Sequence, residues 1–183
     1  MWWPAPGAVA PAVRIAPKVG RVSWAKGGVL VLELDIPHRG ALRLEHAVFD
    51  LNGTLALDGA LLPGVREAAR AVAAVLPCLL LTADTFGTGA AMAHELGFAY
   101  QRVANGDEKQ QVVRELSADA VVAVGNGQND AAMFRAAALA IAVLGPEGAA
   151  SAALQAAHLV APSALYAMEL LLSPSRLVAT LRG

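Results

Sequence analysis

The sequence predicts an α/β fold: a three-layer, Rossmann-like parallel sheet with helices on both faces, preceded by an N-terminal β-hairpin. Two observations carry this. From Val29 onward, strand-like and helix-like segments take turns along the chain. The strands also read as continuous apolar runs rather than as polar–apolar alternation, which is the mark of a sheet covered on both sides. The 183 residues suit a single domain with a sizeable core.

Residues 1–28 stand apart. They are rich in Pro, Ala, Gly and Val, lack acidic residues, and show no sustained period of 2 or 3.6. They are expected to be a poorly ordered extension, with Trp2, Trp3 and Trp24 inside it. A single domain is expected over residues 29–183. Val29–Ile36 reads as a strand, Pro37–Gly40 as a turn and Ala41–Glu45 as a second strand, which together predict a hairpin. His46–Asp50 is a short apolar strand ending in a carboxylate. Asn52-Gly53, between Val48 and Leu57, is a hairpin-turn signal.

Val65–Val75 reads as a helix behind Pro63-Gly64, Cys78–Thr82 as a buried strand, and Gly87–Leu96 as a helix stopped by Gly97. Ala99–Val103 is a weak strand. Asp107–Leu116 is a helix with acidic residues in its first turn, where the macrodipole favours them. Ala120–Val124, Leu139–Leu144 and Leu159-Val160 are strands. Asp130–Ala138, Ala149–Ala157 and Ser163–Leu172 are helices.

Composition narrows the function. Hydrophobic residues make up 56% of the chain, so it is not a solvated disordered chain. A net charge of −1 lacks the basic excess of a non-specific nucleic-acid binder. The longest apolar stretch, Ala71–Ala83, contains Pro77 and falls short of the roughly 20 residues that span a bilayer. Met1–Pro4 does not read as a secretory signal. The one cysteine, Cys78, forms no internal disulfide and reads as an inert core thiol. A reducing cytoplasm is the expected location. His38, His46, His94 and His158 show no ligand spacing and are read as non-ligands.

Ligands of open α/β sheets bind at the carboxyl ends of the strands. Those ends supply Asp50 with Leu51-Asn52-Gly53-Thr54, then Thr82-Ala83-Asp84, then a loop leading to Lys109, then Gly125-Asn126-Gly127-Gln128-Asn129-Asp130. A carboxylate, a hydroxyl, an ammonium and an amide/carboxylate loop on one rim suit phosphoryl transfer to an aspartate. Asp50 is the candidate nucleophile. A phosphate dianion needs counter-charge against it, for which Lys109 and Mg²⁺ are the candidates. Asp50, the Asn52 carbonyl, and a side-chain oxygen of Asn126 or Asp130 are the candidate metal ligands. Thr82, Ala83, Lys109 and the amides around Gly53 and Thr54 are candidates for holding phosphate oxygens. Read singly, each has a plain alternative: Thr82 ends a strand, Asp84 caps a helix, Lys109 is a solvated charge, and Asn126–Asp130 is a turn with an N-cap.

Taken in order, Phe49–Leu55, Leu81–Asp84, Lys109 and Gly125–Asp130 resemble the four motifs of the haloacid dehalogenase (HAD) superfamily. Thr82-Ala83-Asp84 and Gly127–Asp130 are similar to the phosphorylation domain of P-type ATPases, and to its small soluble relatives above all. The resemblance covers residues 29–183 and implies a magnesium-dependent phosphohydrolase or phosphotransferase acting through an aspartyl-phosphate. Two positions depart from the pattern. Asn52 stands where many phosphatases of the superfamily carry an acid/base aspartate, and Asn126 where an aspartate usually binds metal. The alternative is therefore a catalytically weakened regulatory or binding protein that keeps the phosphate pocket. Only 27 residues lie between Thr54 and Thr82 and 26 between Thr82 and Lys109, too few for a cap or a nucleotide-binding domain. An open site is expected, suited to a phosphorylated small molecule or protein, or covered by a second copy in a homo-oligomer. Neither a nucleic-acid nor a membrane partner is expected.

Overall fold

The computed structural model describes residues 20–24 and 30–183. Most of the expected 1–28 extension, with Trp2 and Trp3, lies outside them. The five residues of it that are described, Gly20–Trp24, form strand β1. It pairs antiparallel with β2 (Leu30–Ile36), which pairs with β3 (Gly40–Leu44) across the expected turn at residues 37–39. The hairpin is thus present, with a third strand along its other edge.

The main sheet follows. Its six strands are β4 (His46–Phe49), β7 (Cys78–Thr82), β8 (Ala99–Arg102), β9 (Val121–Gly125), β10 (Leu139–Val143) and β11 (Leu159–Ala161). All are parallel, in the order β11-β10-β9-β4-β7-β8. β9 and β10 are buried at every position, which is why they read as unbroken apolar runs. The chain leaves β4 outward to β7 and β8, then returns to β9 on β4's other side. Such a reversal of strand order opens a crevice at the strands' carboxyl ends.

The helices form the outer layers. α1 (Val65–Ala73), α2 (Gly89–Leu96), α6 (Ala164–Leu172) and α7 (Pro174–Leu181) share one apolar cluster with Ala47 and Phe49 of β4 and with Leu32, Leu34 and Ile36 of β2. α3 (Gly106–Glu115), α4 (Asp130–Ala136) and α5 (Ser151–Ala156) cover the other face, around Val48, Ala123, Met133 and Phe134. Helix α7 was not foreseen, although Pro174 in its first turn is a start signal. Among the described residues, no helix is long and apolar enough to cross a membrane.

One expected turn moves. The hairpin beyond the first parallel strand is formed by β5 (Ala56–Leu57) and β6 (Ala60–Leu61), and turns on Asp58-Gly59 rather than on Asn52-Gly53. Both Asp58 and Gly59 have positive φ, as the tight turns that match strand twist require. Asn52-Gly53 instead makes the sharp bend directly after β4. Among the described residues this short hairpin is what stands beside that bend; no separate lid follows it.

Candidate active site

Asp50 sits at the end of β4, held in the sheet by its amide, which donates to the Val124 carbonyl of β9 (2.9 Å). A few residues on, Gly53 adopts φ +72°, which brings the chain back under the carboxylate. The turn is closed by the Leu55 and Ala56 amides, which both donate to the Leu51 carbonyl.

Lys109 comes from the opposite layer. Asn105 caps α3 by accepting from the Glu108 amide (3.0 Å), while Glu108 accepts from the Ala104 amide (2.7 Å). That fixed first turn projects Lys109 inward, where it is 5% exposed. Its ammonium donates to Asp50 Oδ1 at 2.6 Å and to Asp130 Oδ1 at 2.7 Å. Burial alone pulls the Lys109 ammonium down, but the two carboxylates more than offset this, and its pKa is raised.

Asp130, at the start of α4, is 1% exposed. Its Oδ2 accepts from the amides of Asn126 (2.9 Å) and Gly127 (2.8 Å). Both of its oxygens are therefore committed within the protein, and it acts as a brace for Lys109 and the Asn126 loop. For Asp50 the balance falls differently. Burial and the nearby Asp130 charge raise it, Lys109 lowers it, and the net result is a carboxyl pushed up to about 6.

Thr54 is fully buried, and its hydroxyl lies 2.9 Å from Asn126 Oδ1 and 3.2 Å from Asp50 Oδ2. Thr82 Oγ1 accepts from the Asp84 amide (3.0 Å), which leaves the Thr82 proton free to be donated. Asp84 accepts from the Gly89 amide (2.8 Å) and Tyr100 hydroxyl (2.9 Å), so it holds the first amide of α2, whose N-cap position is Thr88. The Gly89 amide, ahead of the Tyr100 hydroxyl, holds its carboxyl below the usual range.

These groups border an open cleft of about 240 Å³ at the point where the strand order reverses. Asp50, Asn52, Thr82, Ala83, Lys109, Asn126 and Asp130 all line it, as expected. Gly53 and Thr54 do not. Their amides, expected to hold phosphate oxygens, donate to the Ala56 and Leu51 carbonyls instead, and the Thr54 hydroxyl is turned inward. Cys78 lies apart, buried, with its thiol pushed up to about 12 by burial.

The lining also includes Gln128 and Asn129 of the expected loop, together with Asn105 and Glu147, which the sequence analysis does not name. Glu147 had a signal. It lies in the loop after β10, on the same rim as the other strand ends.

Among the described residues no three His, Cys, Asp or Glu side chains converge as a ready metal cage. The available donors are oxygens: the Asp50 carboxylate, the Asn126 amide oxygen and backbone carbonyls. They suit a hard cation that keeps several waters, such as Mg²⁺, and do not suit a soft one.

Comparison with known proteins bears on the fold. No protein-family model matches the chain. An uncharacterized protein of Methanocaldococcus jannaschii is 40% identical over 62 residues, covering 34% of this chain and 67% of that protein. Among solved structures, the fold is similar to a protein of Streptomyces avermitilis described as a HAD family hydrolase (TM-score 0.58, 21% identity, 72% of this chain and 87% of the other). It is also similar to 3-deoxy-D-manno-octulosonate 8-phosphate phosphatase of Moraxella catarrhalis, solved with magnesium and phosphate ions (TM-score 0.60, 14% identity, 76% and 94%). The chain thus belongs to one family with the archaeal protein, and its fold is the one seen in these haloacid dehalogenase hydrolases and phosphatases.

Proposed function

We propose that the protein is a magnesium-dependent phosphohydrolase or phosphotransferase, acting on a phosphorylated small molecule or protein through an aspartyl-phosphate on Asp50. The observation that carries this reading is the Asp50 carboxylate itself: at the switch point of the sheet, facing an open cleft, with the Lys109 ammonium 2.6 Å away. The fold neighbours that are phosphatases support it.

An Asp50 oxygen attacks phosphorus in line, and the bond from phosphorus to the leaving oxygen breaks. Lys109 keeps the carboxylate ionised for attack and offsets charge gathering on the phosphoryl oxygens. The Thr82 hydroxyl, with its own proton unused, donates to one of those oxygens. Water then attacks the phosphorus of the aspartyl-phosphate, the acyl phosphate bond breaks, and inorganic phosphate leaves. Mg²⁺, held by Asp50, the Asn52 carbonyl and the Asn126 side chain, supplies positive charge to the incoming dianion when bound.

Asn52 borders the cleft where a proton carrier would be useful. An amide neither protonates the leaving oxygen nor takes a proton from water, and such help is worth about 10²–10⁴-fold. The leaving oxygen draws its proton from solvent, which favours substrates with acidic leaving groups. The aspartyl-phosphate persists, as the resemblance to P-type ATPase phosphorylation domains implies. Asn52 also keeps alive a second reading, a binding protein that retains the pocket.

The test is turnover of p-nitrophenyl phosphate with Mg²⁺, together with mass spectrometry after acid quench. The wild type should hydrolyse the ester and carry a phosphoryl adduct on Asp50. Asp50→Asn should lose the adduct and at least about 10³-fold in rate. Activity surviving that substitution would overturn the nucleophile. Absence of turnover with retained phosphate binding would favour the second reading.

A further inference from the structure

A divalent cation beside Asp50, the premise carried over from the proposed function, meets little negative charge. Asp50 shares an oxygen with Lys109, and both Asp130 oxygens are taken by Lys109 and by two backbone amides. Asn126 offers an oxygen but no charge. Among the described residues lining the cleft, one acidic side chain is left: Glu147, in the loop between β10 and α5.

That loop is pinned against the nucleophile's own turn. Gly145 packs so closely on the Gly53 carbonyl oxygen that a Cβ there would collide with it. The Asn126 side-chain Nδ2 donates to the Gly148 carbonyl (2.9 Å), and the Ala150 amide donates to the Asn126 carbonyl (2.8 Å). The first of these needs an N–H at the end of side chain 126, which a carboxylate lacks. Glu147, one residue before Gly148, folds back over Gly53. A Cβ on Gly53 would lie 2.7 Å from Glu147 Oε2 and 2.6 Å from Asn126 Nδ2, so the two side chains meet above the same glycine.

We propose that Glu147 supplies the second carboxylate of the cation site and that the Asn126 amide holds its loop in place. Two residues then divide between them what one acidic side chain at position 126 would do. Because Mg²⁺ keeps several waters, the Glu147 carboxylate acts on the ion directly or across one of them. In either case its charge is what counts.

The experiment is calorimetric titration of the full chain with Mg²⁺ alone. Glu147→Gln should weaken binding by about 10-fold or more while leaving the Mg²⁺-free melting temperature unchanged. Adding Asn126→Asp to Glu147→Gln moves the charge back, and should restore the affinity to within about 3-fold of the wild type. Wild-type affinity in Glu147→Gln, with binding lost in Asp50→Asn, would overturn the Glu147 assignment and leave the cation site standing. A loss that Asn126→Asp does not relieve would overturn the charge role. No binding of Mg²⁺ by the wild type would sink the cation site itself, and this assignment with it.

Discussion

Asp50 bears a cost that its chemistry explains. A carboxyl raised to about 6 in the folded chain, against 3.8 in the unfolded one, favours the fold while it is protonated. That favour is fully present below about pH 4, fades as pH rises through about 6, and is absent at neutral pH. The two-unit difference corresponds to an upper bound of about 3 kcal/mol. In Mg²⁺-free buffer at pH 7.5, Asp50→Asn should therefore melt higher than the wild type. Each kcal/mol regained is worth about 2–4 °C in a chain of this size. A lower melting temperature, followed by circular dichroism, would show that the Lys109 contact outweighs burial. At this scale much of the site was readable in advance. Asp50, Lys109 and Asp130 stand in the sequence as charges at strand ends, and charge is visible in a letter. The direction of a hydroxyl or an amide is not. Thr54 and Gly53 look like phosphate contacts until their neighbours are in place.

Between β10 and β11, a side chain completes the backbone pattern. His158 Nδ1 accepts from the Ala140 amide (2.9 Å), while the His158 amide donates to the Ala140 carbonyl (2.9 Å). Accepting at Nδ1 requires neutral imidazole, with its proton on Nε2. Burial, and secondarily the charge of Arg39, lower its pKa. The unfolded chain therefore takes up this proton first, and stability falls as pH drops below about 6.5. Between pH 7.5 and 5.5 the urea midpoint of His158→Asn, whose oxygen can accept the same bond without titrating, should gain on that of the wild type, Asp50 contributing equally to both; parallel curves would refute this role. Element boundaries followed the sequence where one rule acted alone. β9 and β10 had to be apolar throughout. Where two rules competed, the local signal misled. Asn52-Gly53 carries a hairpin-turn signal, yet the hairpin turns on Asp58-Gly59, because at Gly53 the chain makes the tight bend directly after Asp50.

For the whole molecule, the strand order is the organising fact. It places the Asp50 loop and the Asn126–Asp130 loop side by side, at the one crevice where neighbouring strands feed connections in opposite directions. A mimic of the phosphorylated aspartate bound there touches both arms of the sheet and should stabilise the entire fold. Mg²⁺ with beryllium fluoride together should stabilise the fold by about 2.7 kcal/mol at a hundredfold excess over Kd, read as a higher melting temperature, and either alone should do so far less. The rise should vanish in Asp50→Asn; persistence there would place the ligand elsewhere. Lys109 gives this coupling its physical form. Its nitrogen fastens the end of β4 to the start of α4 across that divide. The same atom is both rivet and reagent, so tuning the cleft toward a different chemistry also loosens or tightens the seam on which the architecture closes.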